Sequence, residues 1–271
     1  MKAFVLAAGL GTRLRPLTEE LPKPAWPFFD VPLAAHVLRE LARAGVGEAV
    51  VNLHHLPERL RSALAPWIPA GLRVRWSLEP QILGTGGALL AWRDFLKDGP
   101  FLLLNADTYQ ELDLAAAVRE HEVRGCLATL SLRRLPPGSP APIEADASGR
   151  IVRFLDARAP GDRVGAPCEF TGVHVLDPLV LQRLPDRPHC INADVHRPSV
   201  AAGGALAGYF APEDSFWSDL GTPERYLGAH REFLAGGTLP PETPGRLATE
   251  DEVTVDGGRV RAPSYLGPGA R

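Results

Sequence analysis

Between Lys2 and Pro24 the chain changes character twice, and the order of those changes restricts its fold more than any other feature. Phe4, Val5 and Leu6, closed by Ala7 and Ala8, form a short, apolar, partly β-branched run. Such a run suits a strand covered on both faces. Gly9 and Gly11 follow at once. Lacking Cβ atoms, they let the backbone turn sharply and approach a ligand closely, so that successive N–H groups can face an anion. Arg13 and Arg15 add charge to this loop, and Lys23 stands between Pro22 and Pro24, whose fixed φ angles stiffen the backbone and aim one ammonium group. The chain has three lysines, Lys2, Lys23 and Lys97, against twenty-six arginines, so a lysine kept at this place stands out. A strand that opens into a basic, glycine-rich loop predicts the first βα unit of an α/β sheet with a phosphate site at its edge.

Two common phosphate-binding patterns do not fit. A dinucleotide fingerprint needs a third glycine where the helix packs on the strand, and that position is Leu14. A P-loop needs Gly-Lys-Ser/Thr after four intervening residues, and none follows. The segment LAAGLGTRLRPLTEELPKP as a whole resembles the signature of the sugar-1-phosphate nucleotidylyltransferases, and later motifs carry the resemblance over about 230 residues.

A chain of 271 residues is long enough for one full α/β core with a small appendage. A net charge of −3 argues against a nucleic-acid coat or a polybasic membrane anchor and favours a small-molecule partner. Cys126, Cys168 and Cys190 are odd in number and widely spaced, which implies neither a disulfide framework nor a structural zinc site. Met1 leads directly into the first strand and no apolar run approaches a membrane-spanning length. The expectation is a cytoplasmic protein without membrane contact. Nothing in the sequence chooses between a monomer and a homo-oligomer.

Strand-like and helix-like segments alternate. Helices are expected at 33–44, 57–65, from about 86, at 112–122, after Pro178, at 193–202 and at 223–237; strands at 48–53, 72–78, 100–107, 126–132, 150–155, 170–176 and 205–211. The fold class that follows is α/β: a Rossmann-like, mixed, mostly parallel sheet with helices on both faces. Residues 133–167, rich in proline, glycine and charge, are expected to form an insertion that overhangs the sheet edge. By the resemblance residues 1–237 are expected to form the catalytic domain, and 238–247 read as a linker by composition. In the tail, 248–271, VRAPSY and LGPGAR are two six-residue units similar to the hexapeptide repeat of left-handed β-helices. This leaves a truncated or vestigial β-helix start, too short to bury its own faces unless a partner completes the stack, or an ordinary loop.

What the resemblance implies about chemistry is in-line attack of a hexose-1-phosphate oxygen on the α-phosphorus of a nucleoside triphosphate, GTP or UTP, with release of pyrophosphate. By resemblance, the loop with Ala8, Gly9, Gly11 and Thr12 wraps the β- and γ-phosphates. Arg13 supports the leaving pyrophosphate, and Lys23 reaches the phosphates between the two substrates. Such chemistry is positioning plus cations. Magnesium needs hard oxygen ligands and keeps several waters. Asp107, after the apolar strand FLLLNA, and Asp219, in FWSDLGTP, match the family's two metal aspartates. Read alone, each is as well explained as a helix N-cap. Ala106 stands where the family commonly has glycine, and Asn105 precedes it at the nucleotide side. In EPQILGTGGAL, Gly84 and Thr85 open a helix where relatives read base and ribose. Glu79 is there either to accept a hydrogen bond from the base or to brace the loop.

On the sugar side the pattern departs further. Relatives often carry Phe-x-Glu-Lys-Pro. Here FLDAR gives Phe154 and Asp156, with Ala157 in the lysine's place and Arg158 beside it, although arginine and lysine differ in geometry. Glu169, Thr171 and Gly172 in EFTGVHV resemble the sugar-contacting segment, and Asn192 is a candidate for the same side. His189 and Cys190 lack the partners of a metal or nucleophile site. Within the family, the compact insertion, the LGTGGAL loop and the tail most resemble the mannose-1-phosphate guanylyltransferases, with the N-acetylmuramate 1-phosphate uridylyltransferases second. A regulatory paralogue that binds nucleotide sugar without turnover stays open, on the strength of Ala157 and the altered NAD turn.

Overall fold

A computed structural model of the chain describes residues 1–248, 252–255, 258–261 and 263–268. Five short strands and the segments between them set the first half: β1 Lys2–Leu6, helix α1 Leu33–Arg43, β2 Glu48–Leu53, helix α2 Pro57–Leu64, β3 Arg73–Leu78, helix α3 Gly84–Leu90 and β4 Phe101–Asn105, followed by helix α4 Leu114–Arg124 and β5 Ala128–Arg134. The second half adds β6 Ile143–Ala145, β7 Ile151–Phe154, β8 Ala157–Arg158, the long β9 Ala166–Leu176, helix α5 Arg197–Ala201, β10 Leu206–Phe210 and helix α6 Pro223–Ala235.

β1 pairs in parallel with β2 and β4, and β2 in parallel with β3. β9 then runs antiparallel to both β4 and β5, and β10 returns parallel to β5. The sheet is therefore mixed and mostly parallel, as the alternating pattern predicts. Each central strand feeds two cores. Ala3, Val5, Val51, Leu102, Leu104 and Val173 pack on the side of α1, α2 and α4. Phe4, Val50, Leu103 and Leu130 pack on the side of α3 and the 180–200 segment. Burial on both faces is why these strands read as continuous apolar runs rather than alternating ones.

The insertion does not overhang the edge. β9 has eleven residues against five in β4. Its last part, Val173–Leu176, pairs with β4, so its first part projects past β4 and offers a free edge, which β6 takes at Ala166–Cys168. β7 and β8 continue outward from β6. The insertion is an extension of the sheet itself.

Local differences from the sequence expectation have local causes. The helix expected at 112–122 begins at Leu114, because the Asp113 carboxylate accepts the Ala116 N–H (2.9 Å) and caps it. After Pro178 only a 3₁₀ turn, Pro178–Gln182, forms. The helix expected at 193–202 is a π turn, Asn192–His196, leading into the short α5.

A third, aromatic cluster joins Phe28, Phe29, Tyr109 and Leu220 to Phe233 of α6. The segment expected to be a linker is pinned here, with Glu242 paired to Arg39 (3.1 Å) and Arg43 (2.9 Å) of α1. In the tail, residues 246–248 pair antiparallel with 264–266, and 252–255 pair antiparallel with 258–261. These are hairpin ladders, whereas stacked hexapeptide coils pair in parallel. The end of the second six-residue unit, 269–271, lies outside the described residues. Among the described residues no helix is long and apolar enough to cross a membrane.

Candidate active site

The carboxyl ends of β1, β2, β3 and β4 leave a cleft of about 260 Å³, beside the point where the sheet passes from parallel to antiparallel pairing. Open α/β sheets place ligands at such an edge. The cleft is lined by Ala8, Gly9, Gly11, Lys23, Glu79, Gly84, Thr85, Asn105 and Asp107, all candidate site residues from the sequence, together with Leu6, Pro24, Asn52 and Ile82, which were not candidates.

The anion loop is rigid for a reason visible in its packing. Gly11 has φ of 62°, and a Cβ there would meet the Thr18 methyl at 2.9 Å. The buried Thr18 hydroxyl donates back to the Gly11 carbonyl (3.0 Å). The amides of Ala7 and Ala8 are already spent on the Asn52 side-chain oxygen, at 2.6 and 3.2 Å. Among the described residues, nothing takes the N–H groups of Gly9, Leu10 and Gly11. The open N–H groups of this loop thus start at Gly9, while Ala8 lines the cleft with its amide already taken. Thr12 turns away into a 3₁₀ turn, Thr12–Leu14, and does not line the cleft.

Lys23 is 4 % exposed, and its ammonium donates to the Asp107 carboxylate (2.7 Å) and to the backbone carbonyl of Asp219 (2.8 Å). A buried ammonium requires such partners. One side chain thereby ties together three segments far apart in the chain. Asp107 lies in a tight turn in which Ala106 is fully buried and donates its N–H to Leu6 (3.1 Å), so an alanine fits there.

The Asp219 carboxylate takes Arg225 of α6 at 2.6 Å and the Gly221 N–H at 3.2 Å, with Arg13 at 3.9 Å. Burial pushes this carboxyl up, but the Arg225 guanidinium, the Gly221 amide and the nearby Lys23 together hold it below the usual carboxylate range. The N-cap of α6 is Thr222, whose hydroxyl accepts the Arg225 N–H. Asp219 is therefore free of the capping role that its sequence context allowed.

Glu79 is buried and both its oxygens are used, one by the Asn52 amide (2.7 Å) and one by the Leu83 N–H (3.0 Å). Both bonds brace the loop. The glycines of α3 lie against protein as well as cleft: Gly84 has φ of 76°, and a Cβ on it would collide with the His189 carbonyl. His189 also donates its N–H to Leu83 (2.9 Å), while the Ile191 N–H reaches the Thr85 hydroxyl (2.9 Å).

The sugar-side candidates are less gathered. Asp156 is exposed and bound by both arms of Arg197, at 2.5 and 2.7 Å, which hold its carboxyl down to about 2. Arg158 pairs with Glu144 (3.0 Å) and Glu169 faces Arg133 (3.7 Å). Neither Asp156 nor Arg158 lines the cleft. Gly172, with φ of 99°, packs its Cα face on Asn105, and the buried Thr171 bonds Ser131 (2.8 Å) while its carbonyl accepts the Trp217 indole N–H (2.8 Å). Asn192 keeps a buried side-chain oxygen without a partner among the described residues.

The sequence also left Arg225 and Arg197 unmarked. An arginine in the first turn of a helix, against the favourable dipole sense, is the one signal Arg225 gives.

The donor chemistry suits a hard divalent cation. Asp107, which lines the cleft, and Asp219, tied to it through Lys23, are both partly exposed carboxylates. Among the described residues no group of three His, Cys, Asp or Glu side chains is placed to hold a metal. Two carboxylates, with phosphate oxygens and water completing the shell, are what magnesium commonly takes.

Comparison with known proteins agrees with this geometry. Residues 2–236 match the family model described as Nucleotidyl transferase. The chain is 33 % identical over 260 residues to the probable mannose-1-phosphate guanylyltransferase 2 of Arabidopsis thaliana, covering 92 % of this chain and 69 % of the relative. It is 31 % identical over 255 residues to the mannose-1-phosphate guanylyltransferase catalytic subunit beta of Dictyostelium discoideum, covering 92 % and 68 %. Among solved structures, HddC from Yersinia pseudotuberculosis complexed with GMP-PN matches with a TM-score of 0.69 at 21 % identity, over 86 % of this chain and 99 % of that one. UDP-glucose pyrophosphorylase from Acinetobacter baumannii matches with a TM-score of 0.67 at 20 % identity, over 89 % and 95 %. These two show the shared fold.

Proposed function

Because the chain belongs to the nucleotidyl transferase family, the sugar-1-phosphate nucleotidylyltransferases, we propose that it transfers GMP from GTP to mannose 1-phosphate, giving GDP-mannose and pyrophosphate. The relatives named above supply the substrate pair. The observation that carries the reading is the Lys23 ammonium, buried at the cleft floor and shared between Asp107 and the Asp219 backbone. Such an arrangement puts a fixed positive charge between the anion loop and the acidic corner.

In the reaction, an oxygen of the sugar phosphate bonds to the α-phosphorus, and the bond to the β-phosphate oxygen breaks, its electron pair leaving on pyrophosphate. The free N–H groups of Gly9 to Gly11 would hold the outer phosphates, with Arg13 beside them at the mouth. Lys23 would meet the charge that grows on the α-phosphate oxygens. Asp107 and Asp219 would hold magnesium, which neutralises phosphate charge when bound. Gly84 and Thr85 would face base and ribose, and the segment from Glu169 to Gly172 the sugar. A cytoplasmic supply of activated sugar for cell-wall or polysaccharide synthesis fits this chemistry.

The test is pyrophosphate release from GTP, UTP, ATP and dTTP, each with mannose, glucose and N-acetylmuramate 1-phosphates. Turnover highest with GTP and mannose 1-phosphate supports the reading. Preference for UTP with N-acetylmuramate 1-phosphate replaces it. Tight binding of GDP-mannose with no turnover of any pair would make the chain a binding paralogue.

A further inference from the structure

The cleft has two walls that are not joined by the main chain near it. One is the turn after β1, which leads into the anion loop. The other is the loop from Glu79 to Thr85 that opens α3. They are joined by two buried side chains. Asn52, at the end of β2, accepts the N–H groups of Ala7 and Ala8 on its oxygen and donates its amide N–H to one oxygen of Glu79. The two main-chain donors fix the orientation of that amide. The other oxygen of Glu79 accepts the Leu83 N–H. The backbone of Glu79 is held as well, its N–H on the Leu53 carbonyl (2.8 Å) and its carbonyl on His54 Nδ1–H (2.8 Å). Asn52 is 2 % and Glu79 3 % exposed, and each polar side-chain atom of the pair has a protein partner.

We propose that Asn52 and Glu79 are a positioning pair that sets the spacing between the two walls of the cleft, and so the affinity for the nucleoside triphosphate that spans them. The inference rests on the reading that this cleft takes the nucleotide. It assigns no contact with base or phosphate to either side chain. Their role is to hold the Gly9–Gly11 amides on one side, and the Gly84–Thr85 backbone on the other, at one fixed separation. A buried relay with a charged acceptor is stiff, because any partial opening leaves a carboxylate or an amide unpaired away from water.

The polarity of the relay makes it testable by exchange. Asn52→Asp alone sets two carboxylates against each other. Glu79→Gln alone turns one amide donor toward another donor, either Asn52 or the Leu83 N–H. In the double variant, the carboxylate introduced at the end of β2 accepts from Ala7, from Ala8 and from the amide introduced on the facing loop, whose own oxygen accepts from Leu83. Every bond and the single negative charge are then restored.

GTP binding is measured by calorimetry for the wild-type chain, both single variants and the double, with KM for mannose 1-phosphate and amide hydrogen exchange over residues 6–9 and 82–85. Each single variant is expected to bind GTP about tenfold or more weakly, with mannose 1-phosphate KM within about twofold and exchange accelerated on both walls together. The double variant is expected to recover GTP affinity to within about threefold and to restore slow exchange. Folded single variants with wild-type GTP affinity, or a double variant no better than the weaker single, would overturn the pairing. If a single variant does not fold, the double decides: native affinity supports the pair and its loss overturns it. A wild-type chain that binds no nucleoside triphosphate overturns the functional reading, and this inference with it.

Discussion

The half of the molecule around the cleft and the half proposed for the sugar are built on opposite principles. Around the anion loop the polar groups are buried and already satisfied by protein: Thr18 on Gly11, Asn52 on Ala7 and Ala8, Glu79 on Leu83, Lys23 on Asp107 and Asp219. On the sugar-facing side the charged groups are partly exposed and paired with one another: Asp156 with Arg197, Arg158 with Glu144, Glu169 with Arg133. Buried networks are costly to open and so hold a fixed shape, whereas exposed ion pairs are worth about 0–1 kcal/mol and exchange readily for a ligand. One half is set before a substrate arrives. The other holds charges that can change partner.

Substitutions that remove the acidic corner should strain this contrast most. Asp107→Asn or Asp219→Asn is expected to cost on the order of 10³ in metal-dependent kcat, the loss of several kcal/mol of charge stabilisation, with the circular dichroism spectrum unchanged. Near-normal turnover in either would remove Asp107 or Asp219 from the chemistry. Next in size is Arg13→Ala, expected to lower kcat by about 10² as read by pyrophosphate release; an effect confined to mannose 1-phosphate KM would place Arg13 with the sugar instead.

Asp156→Asn and Arg158→Gln should do much less. Mannose 1-phosphate KM is expected to change by about fivefold or less and Tm by no more than about 3 °C, the scale of an exposed pair. A rise of two orders of magnitude in KM would show that this half, too, is fixed in advance.

The smallest effect concerns a buried histidine pair on the side proposed for the sugar. His174 on β9 and His196 in the π turn meet at 3.2 Å, and burial lowers His196 from 6.5 to about 3 and His174 well below 6.5. Above pH 6.5 both rings are neutral whether the chain is folded or not. Below it the unfolded chain takes protons that the folded chain refuses, so stability falls progressively from pH 6.5 toward about 3. Tm should therefore drop between pH 7 and pH 5, and His196→Asn should flatten that slope. An unchanged slope in the variant would show that other groups carry it.

The sheet, and the meeting of the glycine loop with Lys23, Asp107 and Asp219, were legible because each segment leaves a local mark. Phe4 to Leu6 and Phe101 to Leu104 are apolar runs that end in glycine or aspartate, and Lys23 is fenced by prolines. What stayed illegible depends on contacts distant in the chain. An asparagine closing EAVVNL looks like any strand end, and only the fold brings Asn52 to Glu79. The run Gly84 to Gly87 reads as room for a ligand, yet part of that room is filled by His189, a residue set aside on its sequence context. Asp156 and Arg158 were placed by motif, but Arg197 and Glu144, which hold them, have no mark in the sequence. The insertion joined the sheet because β9 outruns β4, a difference in length that composition does not show.

The central claim is that the ammonium of Lys23 acts on the reacting phosphate rather than merely closing the cleft floor. Single-turnover pyrophosphate release by Lys23→Ala, at saturating GTP and mannose 1-phosphate, tests it most directly. The account predicts a chemical step slowed by about 10² to 10³, with GTP affinity within a few-fold of wild type. A folded variant whose chemical step keeps its rate while GTP affinity collapses would contradict it.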